Sequence, residues 1–413
     1  MRPRFHFTAE SGWINDPHGI TARDGGYDAF YQYVPGSTVW APNCHWGHAR
    51  GADLFSLQEL PIALAPGDGD DGIWTGSLVT DDSGRTRIFY TSTAQPDIGI
   101  GRIRVADPVD DTWVRWTKGE VVAEAPAGLG VIAYRDPFLL REPAGWRMFV
   151  GAGTPDGTAM ALSYTSPTLD EWAYEGVALE RSTNEREPVW MGALWECPQI
   201  VEVDGRWVMV SSVWEDDVLH YAGYAIGDYA DGHFTAEAWG RLTYGPSYYA
   251  PSLFRDADGR PCLTFWMRGV ADLEAGWASA HSAPVVLSLS GDTLVAQPHP
   301  DLERYRDAEP ASGSADGLAC DLAWSADEGD RLVVAGSAGG ELELRREGSV
   351  LIVRTGGTEE QLPVESGPLR IVLDAQVIEI FGSSGLLGLT WEPYGDSLSF
   401  SSGGSLVAYS LHR

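Results

Sequence analysis

Three carboxylates fall at matching places in the first two hundred residues: Asp16 in Asn15-Asp16-Pro17, Asp136 in Arg135-Asp136-Pro137, and Glu196 in Glu196-Cys197-Pro198. Each stands one or two residues ahead of a proline, which biases the preceding backbone toward extended geometry and limits how the acid can swing. Trp74-Thr75-Gly76 and Tyr249-Ala250-Pro251 hold two further matching places. The markers Asp16, Trp74, Asp136, Glu196 and Ala250 are therefore spaced by 58, 62, 60 and 54 residues. Equivalent ends of repeated units converge on the axis of a propeller, so the spacing predicts that the three acids meet. Carboxylates crowded into one funnel repel, which leaves one protonated as an acid and another ionised as a base or nucleophile. That is the minimum equipment of a glycosidase. Asp107-Pro108, Glu142-Pro143, Glu187-Pro188 and Glu392-Pro393 lack the periodic position and read as surface turns.

The elements that must position these acids repeat with them. Gly-led strands rich in β-branched and aromatic residues recur at 26–33, 84–91, 145–151, 205–211 and 259–265. A third series follows at 45–49, 99–105, 159–164, 219–224 and 277–281. A unit of three or four antiparallel strands repeated five times matches a β-propeller blade, although the period is somewhat long. The rhythm stops near Gly291, and a stretch rich in Pro, Asp, Ser and Gly follows. Further alternating strands are predicted at 331–335, 341–346, 350–355, 369–374, 377–381 and 397–401, a spacing that fits a small sandwich. The fold predicted is all-β: a five-bladed β-propeller over 1–290, a linker or boundary at 291–319, and a C-terminal β-sandwich over 320–413.

Composition agrees with a folded, strand-rich chain of 413 residues, 44% of them hydrophobic, with 49 Gly and 25 Pro. Acidic residues outnumber basic ones by 59 to 28, giving a formal charge of −31 with Lys118 as the sole lysine. Such a surface repels nucleic acid and anionic membranes, so neither is expected as a partner. No run approaches the ~18 apolar residues of a membrane span, and the N-terminus lacks the apolar core of a secretory signal. The location expected is cytoplasmic, or secreted if a leader has been removed. Cys44, Cys197, Cys262 and Cys320 are far apart without a C-x-x-C pair, and are expected to be reduced, individually buried thiols.

Trp13-Ile14-Asn15-Asp16-Pro17-His18-Gly19, Tyr134-Arg135-Asp136-Pro137 and Trp195-Glu196-Cys197-Pro198 together resemble the signature set of glycoside hydrolase family 32, which contains invertases, inulinases and levanases. Phe30-Tyr31-Gln32-Tyr33, His45-Trp46-Gly47-His48-Ala49, Trp74-Thr75-Gly76-Ser77 and the stretch from Asp374 to Phe381 extend the resemblance over both predicted domains. The resemblance implies retaining hydrolysis of a terminal β-D-fructofuranosyl unit of sucrose or short fructo-oligosaccharides, with inulin- or levan-type fructans as the alternative substrates. Asp16 would be the nucleophile, Glu196 the acid and base, and Asp136 the stabiliser of the transition state, with Arg135 beside it. Asn15, Gln32, Trp40, Trp74 and Thr75 match positions lining the fructose pocket, with core packing the rival reading for the two tryptophans. The resemblance implies a small carbohydrate as partner and no cofactor or metal; the oligomeric state is left open. This chain departs from the family pattern at His18, usually Asn, at Ile14, often Met, and at Trp74-Thr75, commonly Phe-Ser. A C-terminal module this compact mildly favours a short-chain substrate.

Other readings have less support. His45 and His48, three apart on a strand, point to opposite faces and do not easily share an ion. Acids beside Cys197 raise its thiol pKa, against a nucleophilic role. The phosphate-loop and serine-elbow motifs are absent from the sequence. The alternatives that keep the propeller are an inverting enzyme of another furanoside or pyranoside, a fructosyltransferase, and a carbohydrate-binding propeller without catalysis.

Overall fold

The computed structural model describes residues 1–413 apart from Ser366. Among the described residues strands make up nearly all of the regular structure, and the one helical element is a 3-10 turn at Pro300–Tyr305. Three four-stranded antiparallel sheets follow one another in simple chain order. The first holds Gly72–Thr80, Thr86–Thr93, Arg102–Pro108 and Trp116–Ala123. The second holds Ala133–Glu142, Gly145–Gly153, Thr158–Ser166 and Ala173–Ser182, and the third Leu194–Val203, Arg206–Glu215, Val218–Ala230 and His233–Arg241. The second strand of a sheet is covered on both faces by its neighbours, which is why Gly26–Val34 and Gly145–Gly153 are buried along their whole length. The last strand, such as Trp116–Ala123, is largely open to solvent and carries the polar residues.

The first and fifth repeats do not form separate sheets. They fuse into one of nine strands, because Gly12 and Trp13 pair in parallel with Trp277 and Ala278. The inner strands Gly12–Arg23, Gly72–Thr80, Ala133–Glu142, Leu194–Val203 and Tyr248–Arg255 pack each against the next, and the last packs against the first. Each of these five strands is bulged where the sequence has its marker. The register slips between Ile14 and Pro17, Trp74 and Gly76, Glu196 and Gln199, and Tyr249 and Ser252, and also where Arg135 to Phe138 oppose Phe149 to Gly151. Four of the five bulges contain a proline, which has no N–H to give to the ladder. Asp136, Cys197 and Ala250, each just before its proline, take left-handed φ values of 63°, 51° and 46°.

Two six-stranded sheets, one of them completed by Thr243–Tyr244 of the preceding part, form the C-terminal part around a core that includes Trp324, Leu344, Val353, Ile371 and Ile380. Thr293–Pro298 pairs with Val285–Ser290 in the nine-stranded sheet, whereas Ser314–Asp316 pairs with Ser397–Ser402 in one of these two. A buried polar staple joins the two halves. Asp374 accepts the N–H groups of Arg4, Phe5 and His6, and the His6 ring bridges Asp374 at 2.9 Å and Glu379 at 2.8 Å. Tyr248 donates to Glu379 from the fifth inner strand at 2.9 Å.

Candidate active site

The bulges determine which side chains meet. Counting from the proline column, Asp16, Thr75, Asp136, Cys197 and Ala250 are equivalent; Asn15, Trp74, Arg135, Glu196 and Tyr249 form a second column one residue earlier. Glu196 therefore stands one position before the place of Asp16 and Asp136, and its own column partner in the fifth repeat is Tyr249. A bulge sets two successive residues against one on the partner strand, so both columns can serve one site.

Asp16 lies in a net of donors. Its Oδ1 accepts Asn15 Nδ2 at 3.0 Å, and its Oδ2 accepts Gln32 Nε2 at 3.1 Å and the Thr75 hydroxyl at 2.6 Å. The Cys197 thiol reaches Asp16 at 3.8 Å and Asp136 at 3.7 Å, so it sits between the two carboxylates. The Cys197 N–H donates to Asp136 Oδ2 at 3.0 Å, while the backbone of Asp136 donates to Thr91 Oγ1 at 2.8 Å. Glu196 is held from both sides, by the Arg135 guanidinium at 2.9 Å and the Tyr249 hydroxyl at 2.6 Å. Arg135 also lies over the Trp74 ring at 5.4 Å.

Crowding separates the acids electrostatically. Burial, with Glu196 adding to it against the donors Thr75 and Asn15, pushes Asp16 up to about 6. Asp136 is pushed up to about 8 by burial, with Glu196 and Asp16 outweighing much of the relief from Arg135. As pH rises the two thus titrate in order, Asp16 before Asp136. The Cys197 thiol is raised well above its ordinary value by burial and these acids, so it stays protonated and can donate.

Asn15, Gln32, Thr75 and Arg135 all touch the acids directly. Trp74 packs with Val34 and Cys44 and hydrogen-bonds Pro42, so one side of it serves the core. Trp40 stands farther out, 45% exposed, and meets the cluster through an edge-on contact with Trp74 at 6.0 Å. Sequence reasoning missed Tyr249, Thr91 and His281, whose Nε2 donates to the Asn15 carbonyl at 3.0 Å. Tyr249 was discoverable, because aligning the repeats on their prolines places it opposite Glu196. Several buried polar atoms here have no protein partner, namely Asn15 Oδ1, Arg135 Nε and the indole N–H groups of Trp13 and Trp266. A small polyol offers both donors and acceptors to such groups.

Metal binding has little to support it in these residues. His48 gives Nε2 to Asp28 at 2.9 Å, away from His45. Asp256, Cys262 and His299 lie close enough to share an ion, but the Arg260 guanidinium already holds the same Asp256 oxygen as His299.

The model of the glycosyl hydrolases family 32 N-terminal domain matches residues 6–298, which contain the three acids and the groups that hold them. The chain belongs to glycoside hydrolase family 32. Among its relatives in this family, a sucrose-6-phosphate hydrolase of Zymomonas mobilis is 32% identical over 332 residues, 74% of this chain and 64% of that protein. A levanase of Bacillus subtilis is 31% identical over 343 residues, 74% of this chain and 48% of that protein. The chain thus spans just under two thirds of the length of the first of these relatives. In three dimensions, a family 32 β-fructofuranosidase of Bombyx mori superposes with a TM-score of 0.86 at 25% identity. It covers 100% of this chain and 94% of the other. A sucrose-6-phosphate hydrolase of Lactobacillus gasseri gives a TM-score of 0.84 at 20% identity, covering 100% and 93%.

Proposed function

We propose that the chain is a retaining β-fructofuranosidase that releases terminal β-D-fructofuranosyl units from sucrose or short fructo-oligosaccharides. The observation that carries this reading is the convergence of Asp16, Asp136 and Glu196, each with its own set of donors, in one buried cluster of a family 32 chain. Asp16, ionised near neutral pH, attacks the anomeric carbon while Glu196 gives its proton to the departing oxygen, forming a fructosyl ester and free leaving group. Glu196, now ionised, then takes a proton from water; the hydroxide oxygen bonds to the anomeric carbon and the Asp16 carboxylate is restored. Asp136, held by the Arg135 charge and the Cys197 N–H, binds sugar hydroxyls and supplies negative charge as the ring becomes cationic. Asn15, Gln32, Trp74 and Thr75 line the sugar pocket and Trp40 its rim. No group in this scheme calls for a cofactor or metal.

The same reading extends to architecture: a five-bladed β-propeller over 1–290 and a β-sandwich over 320–413, with 291–319 between them giving Thr293–Pro298 to a sheet of the first and Ser314–Asp316 to a sheet of the second. The closed circuit of inner strands supports the first and the two facing six-stranded sheets support the second. Among the described residues no helix is long and apolar enough to cross a membrane.

A relative from Bombyx mori is known with sucrose bound, and others are named for sucrose 6-phosphate and levan. A panel of sucrose, sucrose 6-phosphate, short fructo-oligosaccharides, inulin and levan therefore tests the proposal. Fructose should be released from at least one by the wild type, with glucose 6-phosphate as the second product where sucrose 6-phosphate is cleaved, and from none by Asp16→Asn. Silence of the wild type across the panel would overturn it.

A further inference from the structure

His18, two residues beyond Asp16, is 1% exposed, and neither of its ring nitrogens has a hydrogen-bond partner in the protein. Its ring lies against the Trp46 indole, with centroids 3.8 Å apart. Burial, with His281 nearby, drives its pKa well below the ordinary histidine value, so the ring is neutral and offers one donor and one acceptor. A buried imidazole with both functions idle is unfavourable, and native interiors resolve such cases with ordered water.

The place for that water is beside the ring. His18, Thr75, Asp136, Gln199 and Ser252 line a small cavity under the acids, with prolines of three inner strands, and the room in it for a water centre is about 10 Å³. That is close to one molecule. Thr75 is already spent on Asp16. Gln199 is spent on the backbone of Cys197, Pro251 and Leu253. His18, the Ser252 hydroxyl and the Asp136 carboxylate, which has acceptor sites beyond those taken by Cys197, are the lining groups that retain capacity, and of these only His18 has both of its polar atoms buried without a partner.

We propose that this cavity is an internal water site held between His18 and Asp136, and that His18 is through it a positioning residue for the Asp136 carboxylate. The water accepts from or donates to the neutral imidazole and donates a hydrogen bond to the Asp136 carboxylate, orienting it. The titratable groups facing Asp136 are Arg135 on its own strand, Asp16, Glu196 and Cys197 on the neighbouring ones, with Tyr249 behind Glu196. None of them fills this cavity except Cys197, at its wall.

Two measurements test the proposal. A crystal structure of the substrate-free wild type at a resolution that orders internal water should show one molecule within about 3.2 Å of both His18 and Asp136. An empty cavity, or a water touching neither group, would overturn it. This arm does not depend on the activity proposed above. The second arm rests on that activity and follows the pH dependence of kcat/KM in His18→Asn and His18→Phe. Asn keeps a donor and an acceptor, so the alkaline limb stays where the wild type has it. Phe removes them and dries the cavity, and the loss of one hydrogen bond to the ionised carboxylate moves that limb to higher pH by about one unit. An unmoved limb in a folded His18→Phe enzyme would overturn the positioning role. Failure of all variants and the wild type to turn over sugar would instead count against the hydrolase reading, with the crystallographic arm still deciding the water site.

Discussion

Asp16 is gripped by three donors and Glu196 by two, so the groups proposed to attack and to transfer the proton are fixed before substrate arrives. Asp16→Asn or Glu196→Gln should lower turnover by several orders of magnitude while leaving the far-ultraviolet dichroism and melting temperature close to wild type. Tyr249→Phe removes one hydrogen bond to a carboxylate, about 1.5–3 kcal/mol, and is expected to reduce kcat/KM by roughly ten- to a hundredfold; a wild-type value would show that Arg135 alone holds Glu196. The pH profile of kcat/KM should be bell-shaped. Protonation of Asp16 below about pH 6 removes the nucleophile, and as pH rises past about 8 the coupled acids lose the proton they retain, which Glu196 must deliver to the departing oxygen. A rate still rising above pH 8 would contradict this. The three acids were legible in the sequence because each marks a repeat. Thr91 was not, since a hydroxyl in a strand also serves packing, and Tyr249 stands out only when the repeats are set on their prolines, which places it rather than Ala250 opposite Glu196.

The bulge is the element that converts a strand into part of a site, and it depends on close approach of neighbouring strands. At Gly151 an added Cβ would lie 2.3 Å from the Trp195 carbonyl and 3.0 Å from Pro198, against the strand that carries Glu196. Gly151→Ala is therefore expected to cost on the order of 1–3 kcal/mol in stability and to lower kcat by displacing Glu196, both visible by thermal melting and single-turnover kinetics. An unchanged melting temperature and kcat would show that the two strands can part without consequence. The period of strands was readable because Gly, Pro and apolar runs recur locally. Fusion of the first and fifth repeats was not, because it rests on Gly12 and Trp13 meeting Trp277 and Ala278 across the whole intervening chain, and no local pattern records a parallel pairing of two residues.

At the scale of the molecule, the two halves are joined through His6, Asp374, Glu379 and Tyr248. Burial alone would lower the His6 pKa, but Glu379 and Asp374 outweigh it and raise it to about 10 from an ordinary 6.5. The stabilisation from a charged His6 is complete below pH 6.5 and is lost as pH rises through about 10. His6→Ala should flatten that decline and cost on the order of 3 kcal/mol at neutral pH, since it leaves buried carboxylates without their cation; parallel denaturation curves at pH 6.5 and 10 for both proteins check it. The sequence pointed to Asp374 and Glu379 through their place in the family pattern, but not to His6, which reads as an isolated polar residue near the N-terminus. The account as a whole turns on a covalent bond between Asp16 and fructose. The most direct measurement is peptide mass spectrometry of wild-type protein quenched in acid during turnover of its best substrate, with Asp16→Asn alongside. A single fructosyl unit on the peptide containing Asp16, absent from the inactive variant, is the result predicted; turnover without such an adduct together with inverted product, or undiminished turnover by Asp16→Asn, would contradict it.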